Sequence, residues 1–561
     1  MQKLIEKATY LQVLIALFSL GLIVYFLSFL NGFVADDNVQ ILANPAIRNL
    51  NIYALFTGSS YFSGDLASTS GIYYKPIFTL VTSIFYNLFS GSPFGLHFVQ
   101  FLLHVSNSFL VFVVFKKFFS KQLSLVLSFI FLVHPGNTES VVYISNLQDV
   151  LFPFFGLSSI LVSYSKLESQ KRYFLVFLLL LCSLLSKESG ILFVLILPFF
   201  LFALKKPIQA SLYISGSVLF SYIILRFVIA QVGINHQVIS PIMAASTLER
   251  LQTVPLVVYS FIKLFVFPLY LSWGQHWIVK EISFWNFWLP AIVTTGSLVC
   301  FGLLVRKSSD KQKRGGILFG LVAILGVGLH SQLVPLDFTF AERWLYFPMI
   351  GFLGITGYAL GSIRTSNRNA FLIISFVILV SVLSIRSFVR SLDWKDDFTL
   401  ASRDIKVNPD SMALQNNYGF ELMKKGDYKT AVTYLEKSAN TFSDTSSYNN
   451  LAFSYAKLGK HDKAIVIYKK ALVLNDFYLT YQNYIAELIR QEKLDEARKV
   501  TQESLKKFPN NNKLWLLASL IEYKNGNIET AIYLLSKAEE LVPGSSQLLY
   551  KRMQNKEDIN L

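Results

Sequence analysis

Apolar residues in this chain come in long blocks, cut by short polar or basic interruptions, and the blocks stop near residue 390. A helix of about 20 apolar residues is long enough to cross a bilayer. Runs of that kind occupy 9–31, 94–115, 147–165, 210–231, 285–305, 344–363 and 370–389. Shorter runs at 122–133, 173–186, 189–204 and 315–331 read as spans with polar ends, which makes about eleven spans in all. The segments 76–90 and 250–271 are also apolar but begin or end in aromatic and basic residues. They are predicted to lie in the membrane interface rather than to cross it.

Past residue 390 the pattern becomes polar, charged and helical, and it repeats. Ala431, Ala464, Ala497 and Ala531 recur 33, 33 and 34 residues apart, each five residues after Gly426, Gly459, Glu492 or Gly526. An Asn-Asn pair opens the unit at Asn416 and again at Asn449, and Pro409, Pro509 and Pro543 mark unit boundaries. Small residues that let two helices pack across a short turn, at this period, predict a tetratricopeptide array of about four units. The fold class that follows is all-α: a polytopic membrane helix bundle with a C-terminal α-solenoid. The expected division is a membrane domain over 1–392, with a first external loop at about 32–93, a linker over 393–407, and repeats over 408–561.

Composition agrees with this division and adds orientation. Of 561 residues, 53% are hydrophobic and only 15% charged, and the mean hydropathy is +0.46. The formal charge of +16 would suggest nucleic acid in a soluble protein, but here many cations sit in short loops between spans and no basic-aromatic surface accompanies them. Nucleic-acid binding is not predicted. The basic clusters are Lys3 and Lys7; Lys116, Lys117 and Lys121; Lys166, Lys171 and Arg172; Lys205 and Lys206; Arg306, Lys307, Lys311, Lys313 and Arg314; Arg364 and Arg368. If 76–90 and 250–271 lie in plane, every cluster falls on the side of the N-terminus, which the positive-inside rule makes cytoplasmic. Lys3 and Lys7 precede a first span with no small-residue cleavage site, so that span is expected to be retained. Cys182 and Cys300 lie inside apolar blocks, and neither a disulfide framework nor a metal cluster is expected.

The same parity puts the polar islands on the other, extracytoplasmic side. They are the acidic pair Asp36–Asp37, His134 to Glu139, Asn146 to Asp149, Ser186 to Ser189, the loop from Gln231 to Arg250, and Leu336 to Trp344. The repeat array falls on that side as well. Ionised side chains at membrane depth are costly and tend to be functional. Lys75, after Tyr73 and Tyr74, is either a phosphate contact at head-group level or an interfacial anchor. Arg343 is a candidate for gripping a phosphate with Glu342 orienting it, and Lys187–Glu188 is a further charged pair. His97, His104 and Asn107 share one helix face, which favours hydrogen bonding between helices. Too few ligands stand at metal spacing for a zinc site.

No Walker sequence, dinucleotide-binding glycine loop or HExxH motif occurs. An enzyme built this way needs a donor activated before it arrives, and outside the cytoplasm a polyprenyl-phosphate-linked group is the natural candidate. A carboxylate would deprotonate an acceptor hydroxyl while cations stabilise the departing phosphate. The reading that competes is a non-enzymatic membrane scaffold recruiting envelope-assembly partners through its repeats. It accounts for the repeats and not for charged islands gathered on one face. A transporter, with midplane charges and internal repeats, fits less well.

The motifs, taken in order, resemble the transmembrane and tetratricopeptide-repeat O-mannosyltransferases and their bacterial relatives, within the C-type, lipid-phosphate-sugar-dependent glycosyltransferases. The resemblance rests on Phe33 to Asn38 with Asn44–Pro45, Tyr74–Lys75–Pro76, His97 with His104 to Asn107, His134–Pro135 through Glu139, Asp149, Ser186 to Glu188, Glu342 to Pro348, and the repeats. It implies a catalytic acid at Asp36 or Asp37 and donor-phosphate contacts at Lys75, Arg343 and Lys187. Supporting places fall to Tyr74, His134, Glu139, Asp149, Glu188 and Glu342. It further implies a polyprenyl-phosphate sugar donor, mannose or another hexose, and a protein hydroxyl acceptor captured by the repeats; a divalent metal is not predicted, and metal dependence stays open. Asn137 stands where the family often has a second His, and Gln148 where it has a base; both leave donor and acceptor identity open. The chain has no Asn-x-Ser/Thr sequon, which fits a bacterial plasma membrane, with the endoplasmic reticulum the setting if the source is eukaryotic.

Overall fold

A computed structural model describes residues 6–60, 73–233, 240–361, 369–557 and 559. Lys3, Arg364, Arg368 and parts of the 32–93 and 231–250 loops lie outside them. Among the described residues every regular element is a helix, apart from one isolated antiparallel bridge between Gln275 and Phe340. They form two compact units that divide after Val407.

In the first unit, nine helices among the described residues are long and apolar enough to cross a membrane: Tyr10–Leu30, Pro93–Phe115, Ile144–Ser163, Ser169–Ser186, Gln209–Ile229, Phe284–Lys307, Gln312–Leu329, Glu342–Gly361 and Ile374–Asp393. A tenth is bent by 53° between Lys121–Val133 and Pro135–Val142, where His134 and Pro135 interrupt the ladder. The short apolar helix Glu188–Ala203 takes the place of the run expected at 189–204. The helix Pro76–Leu88 has 13 residues and at about 1.5 Å per residue reaches about 20 Å, short of the roughly 30 Å of a hydrocarbon core. Thr247–Val266 has the length but carries Glu249, Arg250 and Lys263 and is not among the nine.

Helix direction separates the charges. Ser169–Ser186, Gln209–Ile229 and Gln312–Leu329 start beside basic clusters and end at the polar islands, whereas Ile144–Ser163 and Glu342–Gly361 run the other way. One end of the bundle thus gathers the islands and the other the cations.

The stretch 393–407, expected as a linker, belongs to the first unit. It forms the helix Asp397–Val407; Trp394 and Asp404 are fully buried. The Asp404 carboxylate accepts from Arg390 at 2.6 and 3.2 Å and from the Trp273 backbone N–H at 2.6 Å. Its Asp404 is spent on buried Arg390, whose Nε also lies 3.7 Å from Glu342.

The second unit is a run of eight helices from Met412–Lys424 to Ile528–Leu541, closed by Gln547–Gln554. The four periodic alanines are fully buried, since a larger side chain there would hold the paired helices apart. Gly426, Gly459 and Gly526 make the turns at φ of +80°, +73° and +81°, and Glu492 takes the fourth at +55°. The Asn pairs stitch neighbouring units: Asn450 donates to Asn416 and Asn483 to Asn449, both at 3.0 Å.

Removing the Arg390 guanidinium leaves two buried carboxylates without their cation. Arg390→Met is expected to destabilise the first unit by about 3–5 kcal/mol, checked as a lowered thermal midpoint in detergent; an unchanged midpoint would contradict the buried network.

Candidate active site

The first span ends in a tight turn at Phe26–Leu30 and a short extended stretch, and the acidic pair follows. Ala35 has φ of +49°, an uncommon conformation for a residue with a Cβ, and it sends the two acids different ways. Asp37 turns inward and is fully buried. Its Oδ1 accepts from the Ser145 N–H at 2.7 Å and the Ser145 hydroxyl at 2.5 Å, and its Oδ2 accepts from the Val34 N–H at 3.1 Å. Burial pushes the Asp37 carboxyl up to about 7, against those three donors. Both carboxylate oxygens are engaged locally, so Asp37 holds the turn.

Asp36 faces a cavity of about 560 Å³, together with Lys75, Lys187, Glu188, Arg226 and Arg343. It is exposed to the cavity, though protein surrounds it. Burial moves its carboxyl above the ordinary carboxylate value, opposed by the Tyr143 hydroxyl and by Arg343; the open face makes that burial incomplete. The Asp36 backbone N–H donates to Tyr143 Oη at 3.0 Å. Trp273, Phe338 and Trp344 supply aromatic wall.

Most cations on the wall are held by a carboxylate behind them. Arg343 Nη1 donates to Glu139 Oε1 at 2.5 Å and the Arg343 backbone N–H to Oε2 at 3.1 Å. Lys187 Nζ donates to Asp149 Oδ1 at 2.6 Å. Lys75 differs: its ammonium lies 4.1 Å from the centroid of the Tyr73 ring, whose hydroxyl donates to Asp337 at 2.5 Å. No ion pair holds Lys75 among the described residues, and burial shifts its ammonium downward, with Glu188 opposing.

The residues expected to support the site divide. Glu139 and Asp149 carry the pairs above. Glu188 pairs with Arg226 at 3.4 Å and accepts from the Tyr74 backbone N–H at 3.3 Å, while the Tyr74 hydroxyl donates to the Phe56 carbonyl at 2.9 Å. Tyr74 thus braces the wall from behind. His134 holds the bend of its span, taking the Gly136 N–H on Nδ1 at 3.1 Å and bonding the Phe265 carbonyl through Nε2 at 3.0 Å. Glu342 does not orient Arg343. It faces Arg390 and the Ser272 backbone N–H, because adjacent residues of the turn Glu342–Leu345 point apart. His104 and Asn107 bond between helices as expected, both to the Tyr346 hydroxyl, at 2.8 and 3.0 Å.

Arg226 is the functional candidate missed in the sequence. It bonds the Tyr222 hydroxyl at 3.0 Å as well as Glu188. An arginine inside the run 210–231 was the signal, since intramembrane charge is rarely idle. Among the described residues no three His, Cys, Asp or Glu side chains converge as a metal set.

The helices define a multi-pass membrane protein joined to a tetratricopeptide array. The family model described as dolichyl-phosphate-mannose-protein mannosyltransferase matches residues 75–234, and the tetratricopeptide-repeat model matches 446–478. Human protein O-mannosyl-transferase TMTC3 is 24% identical over 576 residues, covering 94% of this chain and 60% of the human one. Drosophila melanogaster protein O-mannosyl-transferase Tmtc3 is 22% identical over 539 residues, covering 81% and 58%. The chain is thus similar to protein O-mannosyl-transferases along most of its length. It spans about 60% of the length of the human relative. Among solved structures, ArnT from Cupriavidus metallidurans bound to undecaprenyl phosphate aligns at a TM-score of 0.39 and 13% identity, covering 81% of this chain and 79% of that one. YrrB, a tetratricopeptide protein with an unusual peptide-binding site, aligns at 0.25 and 20%, covering 32% and 89%.

The two acids are expected to respond differently to amidation. In Asp37→Asn one nitrogen must face an N–H or O–H donor, at a cost of about 1–3 kcal/mol for the unsatisfied group. Asp36→Asn faces open space and is expected to leave the thermal midpoint within error. Equal losses from both would contradict the division.

Proposed function

We propose that the protein transfers a sugar, mannose or another hexose, from a polyprenyl phosphate to a hydroxyl acceptor, a protein Ser or Thr. The observation that carries this reading is that an open carboxylate, Asp36, shares one cavity with Lys75, Lys187, Arg226 and Arg343. Asp36 takes the proton of the acceptor hydroxyl as its oxygen attacks the anomeric carbon. The bond from that carbon to the phosphate oxygen breaks, and the lipid phosphate leaves with the bonding pair. Lys75 is the cation without an ion-pair partner among the described residues and meets the charge that develops on the leaving oxygen. Arg343 and Lys187, already fixed by Glu139 and Asp149, hold the phosphate in place without reorganising. Preorganised cations of this kind stabilise charge that grows only in the transition state.

The names of the relatives support mannose and a protein acceptor. The repeats are assigned to capture of the acceptor chain. The N-terminus is cytoplasmic, and the acidic loop and repeats are extracytoplasmic, in a bacterial plasma membrane; helix direction and the positive-inside rule support that orientation. The group needs no metal in this reading.

The test is transfer from polyprenyl-phosphate mannose to a Ser/Thr-rich acceptor by the purified chain. Asp36→Asn is expected to lower kcat by about 10²- to 10⁴-fold, the range for a lost general base, with donor KM little changed. Asp36 works as the carboxylate, so activity falls as pH drops through its pKa. Because burial raises that pKa, the acid limb of kcat/KM is expected above the usual carboxylate value of 3.8. Full activity in Asp36→Asn would overturn the assignment, and no turnover with any lipid-phosphate sugar would overturn the function.

A further inference from the structure

The segment just before the repeats bears on the acidic loop. The Ser391 carbonyl accepts from the Asn31 side chain at 3.1 Å, and the Lys395 carbonyl accepts from the Gly32 N–H at 3.1 Å. The Trp394 ring stacks on Tyr143 at 5.2 Å between centroids, and Tyr143 in turn receives the Asp36 N–H. The tightest of these contacts is made by Asp397, whose Oδ1 accepts from the Ala35 N–H at 2.6 Å while its Oδ2 accepts from the Asn38 side chain at 3.4 Å.

Ala35 is the residue at φ of +49°, and its Cβ disfavours that conformation. A glycine would adopt it freely; with alanine, bonds around the turn must offset its cost. The Asp397 carboxylate does so by a charge-assisted bond to the amide of the strained residue itself. If Ala35 relaxed to an ordinary φ, the peptide that follows would rotate. Asp36 would then swing off the cavity wall, and Asp37 would lose its bonds to Val34 and Ser145.

We propose that Asp397 is a positioning residue for Asp36, acting by holding Ala35 in its left-handed conformation. This rests on the transferase reading for its consequence but not for its geometry. Asp397 touches neither donor nor acceptor. Its contribution is to kcat, through the placement of the base, and a misplacement of about 1 Å is enough for a loss near 100-fold.

The test has two arms. Hydrogen exchange on the full-length protein in detergent reads the geometry: the Ala35 amide is expected to be protected in the native chain and to exchange faster in Asp397→Ala. Transfer from polyprenyl-phosphate mannose reads the consequence. Asp397→Ala is expected to lower kcat by about 10²-fold with donor KM within twofold. Asp397→Asn, which keeps an acceptor oxygen, is expected to retain most activity. Adding Ala35→Gly to Asp397→Ala is expected to restore kcat at least tenfold, because glycine needs no restraint at that φ; a purely structural role for Asp397 would not be rescued there. An unprotected Ala35 amide in the native chain overturns the proposal even if the variants fail to fold, and so does a double variant no faster than Asp397→Ala. A native chain that transfers nothing while its Ala35 amide is protected, and loses protection in Asp397→Ala, overturns the transferase reading and supports the positioning.

Discussion

Arg343 and Glu139 meet at 2.5 Å, with the Glu139 side chain fully buried, and the site depends on that contact. An ion removed from water costs several kcal/mol, so neither charge is tolerable at this depth without the other. The pairing also explains why cations can line a cavity in a membrane protein at all. Arg343, Lys187 and Arg226 each have a carboxylate, Glu139, Asp149 or Glu188, and each still lines the cavity. They are neutralised enough to be stable and remain aimed at whatever anion enters.

Against that background the departures carry the chemistry. Among the described residues Asp36 has no cation paired with it, and Lys75 has an aromatic face and no ion pair. In the proposed transfer one is the base that a hydroxyl reaches, the other a positive charge for the phosphate to match. The neighbouring acid, Asp37, is spent on Ser145 and Val34. The difference between two adjacent aspartates thus comes from a single left-handed residue and the carboxylate that restrains it. The same segment, through Asp404 and Arg390, braces Glu342 beside Arg343. Two walls of the cavity are tied to one strap of chain.

The spans were legible because a hydrocarbon core imposes a length, and apolar runs that meet it stand out, as in the helix Pro93–Phe115. The repeats were legible because buried alanines and turn glycines recur at fixed offsets. The convergence of the polar islands followed from the parity of the basic loops. What stayed hidden was a matter of direction rather than of residue type. Nothing in the letters separates Asp36 from Asp37, since the turn between them uses an alanine where a glycine would have given notice. Glu342 and Arg343 looked like a pair because they are adjacent, yet a tight helical turn points them apart. The stretch 393–407 was expected as a linker, and only the partners of Asp404, Arg390 and the Trp273 backbone, reveal how it is tied to the first unit. Arg226 hid inside an apolar run whose length was counted before its one charge was weighed.

The central claim is that a lipid-linked phosphate sits in the cavity bounded by Asp36, Lys75, Lys187 and Arg343. The most direct measurement is photo-crosslinking with a polyprenyl phosphate whose head group carries the photoreactive label, followed by mapping of the labelled peptides. The account predicts adducts in the peptides containing Lys75, Lys187 and Arg343, suppressed by excess unlabelled polyprenyl phosphate. Adducts that avoid those peptides and fall instead on exposed span surfaces, such as Leu289–Lys307, would contradict it.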